Sequence, residues 1–194
     1  MMPDINLIRE YVISHISEKR YLHTSGVEET AVLLCSKYGG DEKKVRIAAL
    51  LHDITKEFDY ERQLQIVEEF GIILDEVEKN EPKLLHSITA SALAKNEFNI
   101  DDEDILNAIR YHTTARKNMT VIEKVIYLAD YIEPNRDFDG VKELRKIILK
   151  DINEGMVSSL IFSVCEVANK RRMVHPNSLY ALNEHIKILR SMKK

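Results

Sequence analysis

The chain has no tryptophan, two cysteines, four prolines and six glycines in 194 residues. Two cysteines are too few for a disulfide scaffold. Cys35 and Cys165 each sit in an apolar, helix-like pattern, so both thiols are expected to be buried, in a protein of the reducing cytoplasm. The scarcity of glycine and proline leaves few breaks. No strand-like alternation, internal repeat or low-complexity linker is present. A basic excess is also missing: 28 Lys and Arg face 32 Asp and Glu, for a net charge of -4. That disfavours a nucleic-acid partner. No apolar run approaches the roughly 18 residues of a membrane span. Met1-Met2-Pro3-Asp4 lacks the basic-then-apolar pattern of a secretory leader.

What is present is a core and many helix signals. Hydrophobic residues make up 44% and charged residues 31%, the balance of a folded globular chain. Leu7, Ile8, Tyr11, Val12 and Ile16 form one helical stripe; Val27, Ala31, Leu34 and Tyr38 form another, stopped by Gly39-Gly40. Asp41 caps the next helix, whose stretch Val45 to Leu51 is apolar nearly all round and belongs at the centre of the fold. Pro82 suits the first turn of a helix running to about Phe98, and Asp101 or Asp102 caps another. Thr120 and Glu123 make a capping box for a helix that Pro134 ends. Two further helices lie around Met156 to Ala168 and Leu179 to Leu189. The spacing predicts an all-α bundle of roughly nine or ten helices, a single domain over residues 1–194.

Seven histidines occur: His15, His23, His52, His86, His112, His175 and His185. Any one alone is an ordinary packed or surface residue, and periodicity turns too many of them inward. The doublet His52-Asp53 says more. It closes the most apolar helix, where a carboxylate is costly unless it meets a cation or several donors. Adjacent side chains on a regular helix diverge by about 100°, but at a helix end the chain opens and both can converge on one ion. Asp130 puts a second carboxylate at the end of a second apolar helix. His23, His86 and His112 stand at or near the ends of three more. Mixed His and Asp donors suit Fe, Mn, Ni, Co or Zn better than Mg or Ca. The absence of thiolates argues against a structural zinc site.

These residues fit the pattern H…HD…D, and the chain resembles the HD-domain phosphohydrolase superfamily. The segments HTSGVEETAVLLCSKYGGDEKKVRIAALLHDITKE (23–57) and AIRYHTTARKNMTVIEKVIYLADYIEPNRDF (108–138), with His86 between them, resemble its YqeK-type branch of bacterial symmetrical diadenosine tetraphosphate hydrolases. The resemblance covers about residues 20–141, followed by a compatible helical part from about 142 to 194. It implies two divalent transition-metal ions, usually iron, with manganese or cobalt as substitutes. His23, His52, Asp53 and Asp130 would hold the first, Asp53 would bridge, and His86 with His112 would hold the second. One departure is visible. The family's H-T-T-G-R reads His112-Thr113-Thr114-Ala115-Arg116 here, and alanine adopts positive φ only at a cost. Either that turn does not need positive φ or the loop carrying Arg116 is shifted.

The resemblance also implies the chemistry. A hydroxide shared by metals about 3.5–4 Å apart attacks phosphorus in line, splitting diadenosine tetraphosphate into two ADP. Lys56 matches the family's H-D-x-x-K lysine. Arg116 and Arg136 flank His112 and Asp130 and suit phosphate; an ion pair with Asp137 is the bland alternative for Arg136, as a solvated pair with Glu57 is for Lys56. Thr113 and Thr24 follow ligand histidines, and Arg20 lies one turn before His23. Lys170-Arg171-Arg172 reads as a solvated cluster complementing a helix end. Two other readings stand beside this one: a hydrolase of another nucleotide, such as a deoxynucleotide or guanosine polyphosphate, and a non-catalytic nucleotide-binding regulator. A homodimer is the family tendency, with Cys165, Ile161, Val164 and Ala168 marking either core or a dimer seam.

Overall fold

The computed structural model describes residues 3–192. Met1 and Met2, part of the stretch read for a leader, lie outside the described residues. Eleven α-helices are found among those described, with no strand: α1 (Ile5–His15), α2 (Glu18–Tyr38), α3 (Glu42–Leu51), α4 (Tyr60–Glu69), α5 (Glu76–Asn80), α6 (Leu85–Glu97), α7 (Glu103–Arg110), α8 (Val121–Ile132), α9 (Val141–Lys150), α10 (Ile152–Asn169) and α11 (Pro176–Met192). The all-α expectation holds, and the count is close to the nine or ten expected. None of these helices is long and apolar enough to cross a membrane.

Local chemistry sets the boundaries. Gly39, at φ 90°, ends α2, and the Asp41 carboxylate accepts from Lys44 N to start α3. Asp102 accepts from Asp104 N and Ile105 N at the head of α7. The Thr120/Glu123 box starts α8, which stops at Ile132, two residues before Pro134. Pro82 opens a 3-10 turn, Pro82–Leu84, that runs into α6.

Helix α3 is the axis of the bundle. It packs on α1, α2, α6, α7 and α8. Val45 and Ile47 to Leu51 are all buried, each large side chain contributing roughly 2 kcal/mol of apolar burial. Ala48 and Ala49 let neighbouring helices approach closely. Arg46 is the polar exception; with Arg9 it holds the buried Glu28 carboxylate, at 3.0 and 2.6 Å, tying α1, α2 and α3 together. Around this axis α2 packs on α8, and α8, α9 and α11 pack on α10.

Three expectations are corrected. Cys35 is buried, but Cys165 is exposed, on the outer side of α10 and not in the core. His15, which shares a helical face with Ile8, Tyr11 and Val12, points to solvent and stacks on Tyr11 at 3.7 Å, while His185 is fully buried on the face that its spacing with Leu182, Ile188 and Leu189 gives it. The basic run is not simply solvated: Arg172 pairs with Glu81, whose other oxygen accepts from Met173 N at 2.8 Å, pinning the α10–α11 loop to the turn before α6.

Candidate metal centre

The α3 ladder does not end in open coil. Ile54 N donates to Leu51 O and Lys56 N to Asp53 O, at 3.2 and 2.9 Å, so the chain keeps winding in tight three-residue turns. This winding brings His52 and Asp53 to one side, with Lys56 one turn later. A buried polar network fixes the turn: Thr55 Oγ1 donates to His86 O at 2.8 Å, and Gln63 Nε2 to Thr55 O at 3.2 Å. Thr89 in turn donates to Gln63 Oε1 at 2.9 Å. The turn after α3 is thereby locked to α6, which carries His86. The H…HD…D pattern gave no sign of Thr55, Gln63 or Thr89.

The six expected ligands come together. His23 is an exception in position, lying in the second turn of α2 rather than at a helix end. His86 lies in the first turn of α6, His112 just beyond α7 and Asp130 in the last turn of α8. Asp53 is the hub, and its two oxygens divide the four imidazoles. Oδ2 is 3.7 Å from His23 Nε2 and 3.6 Å from His52 Nε2. Oδ1 is 3.1 Å from His86 Nε2 and 3.4 Å from His112 Nε2. Asp130 joins the first side, its Oδ1 3.1 Å from His23 Nε2.

The ring nitrogens turned away from the hub are all anchored. Nδ1 of His52, His86 and His112 faces the carbonyls of Ala49, Lys83 and Ile109 at 2.7, 2.7 and 2.8 Å. Nδ1 of His23 faces Glu133 Oε1 at 3.2 Å. A carbonyl only accepts, so each of those Nδ1 atoms carries the proton and Nε2 keeps its lone pair. This is how metal-ligating histidines are oriented. Meanwhile Nε2 of His23 and His52 and Oδ1 of Asp53 are buried without a hydrogen-bond partner. Orphaned polar atoms of this kind are costly unless a cation takes them. The atoms of His23, His52 and Asp130 lie within 4.8 Å of one another, as do those of His52, Asp53 and His112, so each group could hold a metal ion. The nitrogen and oxygen donor set suits a divalent transition metal.

The protonation states agree with ligation. Burial pushes the pKa of His52 down to about 3 and that of His86 to about 4. Both are therefore neutral at pH 7. Burial acts to raise Asp53, but His52, His112, His86 and Lys56 outweigh it and hold the carboxyl well below the usual range. His23, Arg136 and His52 do the same for Asp130. Burial lowers His23, yet the Asp130 carboxylate prevails and raises it; a divalent cation would displace that proton.

The expected substrate residues divide. Arg20 Nη1 donates to Asp53 Oδ2 at 2.8 Å. Lys56 Nζ is 2.9 Å from His86 Nε2 and 3.8 Å from Asp53 Oδ1; Glu57 instead accepts from Ser17, so the two do not pair. Arg136 pairs with Asp130, not Asp137, and its Nε donates to Asp130 O at 2.7 Å. Thr113 borders a cavity beside the cluster, and its hydroxyl is 3.2 Å from Ser87 Oγ. Thr24 is buried with its hydroxyl unpartnered. Arg116 is turned away from the cluster; its guanidinium grips Glu123 at 2.6 and 2.7 Å and lies over the Tyr111 ring. Ala115 sits at φ 55°. The turn thus keeps the positive φ that the family serves with glycine, and alanine adopts it.

Two residues of the centre were missed in the sequence. Glu133 orients His23 and accepts from Asn135 N at 2.7 Å. Its place between the apolar Ile132 and Pro134 was the available signal. Gly26 is the other: a Cβ there would lie 2.5 Å from Glu133 Oε2. A further group, Asp75, Glu78 and His175, lies apart and is internally satisfied. Asp75 and Glu78 form the capping box of α5, His175 faces Asp75 at 2.9 Å, and Arg110 holds Glu78.

Comparison with known proteins agrees with this geometry. A sequence model of the HD domain matches residues 20–135. The "Bis(5'-nucleosyl)-tetraphosphatase, symmetrical" of Bacillus subtilis (strain 168) is 41% identical over 172 residues, 89% of this chain and 92% of that protein. The protein of the same name from Halalkalibacterium halodurans is 38% identical over 175 residues, 90% of this chain and 93% of its own. A crystal structure from Clostridium acetobutylicum, described as a "predicted HD superfamily hydrolase involved in NAD metabolism", matches with a TM-score of 0.91 and 41% identity. It covers 96% of this chain and 99% of that one. A histidine and aspartate cluster built on the H…HD…D residues, a matching domain model and relatives aligned over nearly the whole chain lead to one conclusion: the chain belongs to the HD domain family.

Proposed function

We propose that the chain is a metal-dependent symmetrical bis(5'-nucleosyl)-tetraphosphatase that hydrolyses diadenosine tetraphosphate to two ADP. The observation that carries the reading is the division of four histidines by the two oxygens of Asp53, in a chain about 40% identical to proteins of that name. In this reading His23, His52, Asp53 and Asp130 hold one divalent ion and His86, His112 and Asp53 the other, iron first, with manganese or cobalt able to substitute. Bound there, the ions supply Lewis-acid charge to the phosphoryl oxygens and lower the pKa of the attacking water.

The chain's own residues do the rest. Arg20 fixes Asp53 as a carboxylate facing both sides. Lys56 and Arg136 supply positive charge to the polyphosphate from opposite sides of the hub. Thr113 offers a hydroxyl beside them. Arg116, gripped by Glu123 and lying over the Tyr111 ring, would contact the phosphates only on leaving that pair. A bond forms from water oxygen to phosphorus as the bridging P–O bond breaks; the attacked half keeps that oxygen and becomes one ADP, and the protons of the water pass to solvent. The departing ADP takes the electron pair and is a weak base, so no strong general acid is required. A cytoplasmic homodimer, one domain per chain, belongs to the same proposal.

The metal-reconstituted protein should be offered diadenosine tetraphosphate, a deoxynucleoside triphosphate and a guanosine polyphosphate in parallel. The highest kcat/KM is expected on diadenosine tetraphosphate. A higher value on either of the others would replace this reading with the nucleotide-hydrolase alternative.

A further inference from the structure

The two cations assigned to the polyphosphate stand on different cavities beside the donor cluster. Lys56 borders one of about 260 Å³, with His86 and Thr113. Arg136 borders another of about 300 Å³, with Asp130. Tyr131 and Glu166 are the lining residues common to both. Glu166 is exposed, carries a negative charge and pairs with Lys170, so it offers a phosphate nothing. Tyr131 is the shared residue that can donate a hydrogen bond. It stands where a phosphate chain held by both Lys56 and Arg136 would pass.

Two neighbouring rings hold its side chain. Tyr131 lies in the last turn of α8, next in the chain to Asp130. Its ring meets Phe162 of α10 edge-on at 6.2 Å and tilts against Tyr127 at 5.3 Å. Tyr127, one turn earlier, is fully buried, and its hydroxyl has no well-formed hydrogen bond. The hydroxyls beside it are those of Tyr131 and of Ser163 on α10. A buried phenol in that condition is costly, and phenylalanine would bury the same ring without the cost. The Tyr127 hydroxyl has a use when it donates to the Tyr131 oxygen. Tyr131 then keeps its own proton for the cleft, and a hydroxyl that accepts one hydrogen bond is a stronger donor of the next.

We propose that Tyr131 is a catalytic residue whose phenolic O–H donates a hydrogen bond to the phosphoryl group under attack, and that Tyr127 is the residue that positions it. The proposal rests on the phosphohydrolase reading of the site and adds a neutral donor to its cations. Negative charge on the phosphoryl and departing oxygens grows as the P–O bond breaks, so a fixed donor aimed at them is worth more in the transition state than in the bound substrate. The proton stays on the tyrosine throughout; the hydrogen bond shortens and no bond to hydrogen breaks. Tyr131 should therefore act on kcat and leave KM alone.

The test uses the manganese-loaded full chain and two readouts: steady-state kinetics on diadenosine tetraphosphate, and calorimetric binding of orthovanadate, which imitates a phosphoryl group in the transition state. In Tyr131→Phe, kcat is expected to fall about 100-fold, the scale of one lost transition-state donor, with KM and manganese affinity unchanged. Orthovanadate should bind at least tenfold more weakly. Tyr127→Phe should lower kcat less, melt no lower than wild type, and cost nothing further once Tyr131 is already Phe; it serves alone if Tyr131→Phe does not fold. An unchanged kcat in Tyr131→Phe, or a loss that appears in KM or in manganese affinity instead, would overturn the proposal. If the wild type does not cleave diadenosine tetraphosphate, the substrate reading fails by itself. Orthovanadate then decides: weaker binding in Tyr131→Phe upholds the donor, and equal binding removes it.

Discussion

His86 Nε2 and His112 Nε2 lie 3.1 Å apart, while the Nδ1 of each donates to a backbone carbonyl. Both rings therefore turn lone pairs toward each other, an arrangement that repels unless positive charge is shared between them. Lys56 Nζ, 2.9 Å from His86 Nε2, supplies part of that charge. A divalent ion supplies more.

Metal should accordingly stabilise the fold. At 100 times its Kd, an ion bound only to the folded state adds about 2.7 kcal/mol. For a chain of this size that is a rise of about 5–10 °C in Tm. Chelated protein titrated with manganese in a thermal melt is expected to show this rise. Asp53→Asn, which touches both sides of the hub, should abolish it. His86→Ala, which leaves His23 and Asp130 in place, should lose only part.

Glu133 is predicted to set metal affinity without touching metal. It holds His23 Nδ1 at 3.2 Å, and partners of this kind are worth about 10–100-fold in affinity. Glu133→Gln should weaken metal binding by that factor. Gly26→Ala gives an independent probe, because the added methyl would displace the same carboxylate. Alanine favours a helix by about 0.5–1 kcal/mol over glycine, so the metal-free variant should melt no lower than wild type by more than a degree or two while its metal affinity falls. Unchanged affinity in both variants would remove the role of Glu133.

His185 makes stability depend on pH. It is fully buried, neither ring nitrogen has a hydrogen-bond partner, and burial together with Lys124 pushes its pKa down to about 4. The unfolded chain takes up that proton near pH 6.5 and the folded chain not until about 4. Between these values the unfolded state binds more protons, so stability falls as pH falls and is fully present above about 6.5. The loss is up to about 3 kcal/mol by pH 4. Urea unfolding of chelated protein at pH 7 and pH 5 measures it. Part of the slope comes from His52 and His86, so the difference between wild type and His185→Leu isolates this residue. The variant should show a smaller loss.

The loop after His112 carries strain that its sequence reveals only in part. Ala115 is buried at φ 55°, and its N–H donates to Tyr111 O at 2.8 Å. Left-handed backbone costs an L-residue about 1–2 kcal/mol, and the loss of a buried methyl costs about 0.8. Ala115→Gly should therefore melt within about 1 kcal/mol of wild type. Ala115→Val adds both β-branching and volume and should cost more than about 2 kcal/mol. Comparable losses for the two would mean that the turn does not hold this conformation.

The sequence disclosed the bundle where chemistry is local. Caps at Asp41, Asp102 and Thr120 and stops at Gly39 and Pro134 sit where their spacing places them. The convergence of His23, His52, Asp53, His86, His112 and Asp130 was legible for the same reason, since most close or open a recognisable helix. What was hidden depends on helices distant in sequence. Glu133, the residue after α8, reaches His23 of α2, and Arg172 crosses to Glu81, each through packing that no local pattern encodes. Cys165 misled because α10 keeps an apolar pattern on a face that does not enter the core. Helices α4, α5 and α9 carried weaker signals; α5 has only five residues.

The central claim is symmetrical cleavage at a metal centre built on Asp53, and product chromatography tests it most directly. Protein reconstituted with ferrous iron or manganese under reducing conditions should convert diadenosine tetraphosphate to ADP alone, and His52→Ala should convert none. AMP with ATP as products, or undiminished turnover in His52→Ala, would contradict the account.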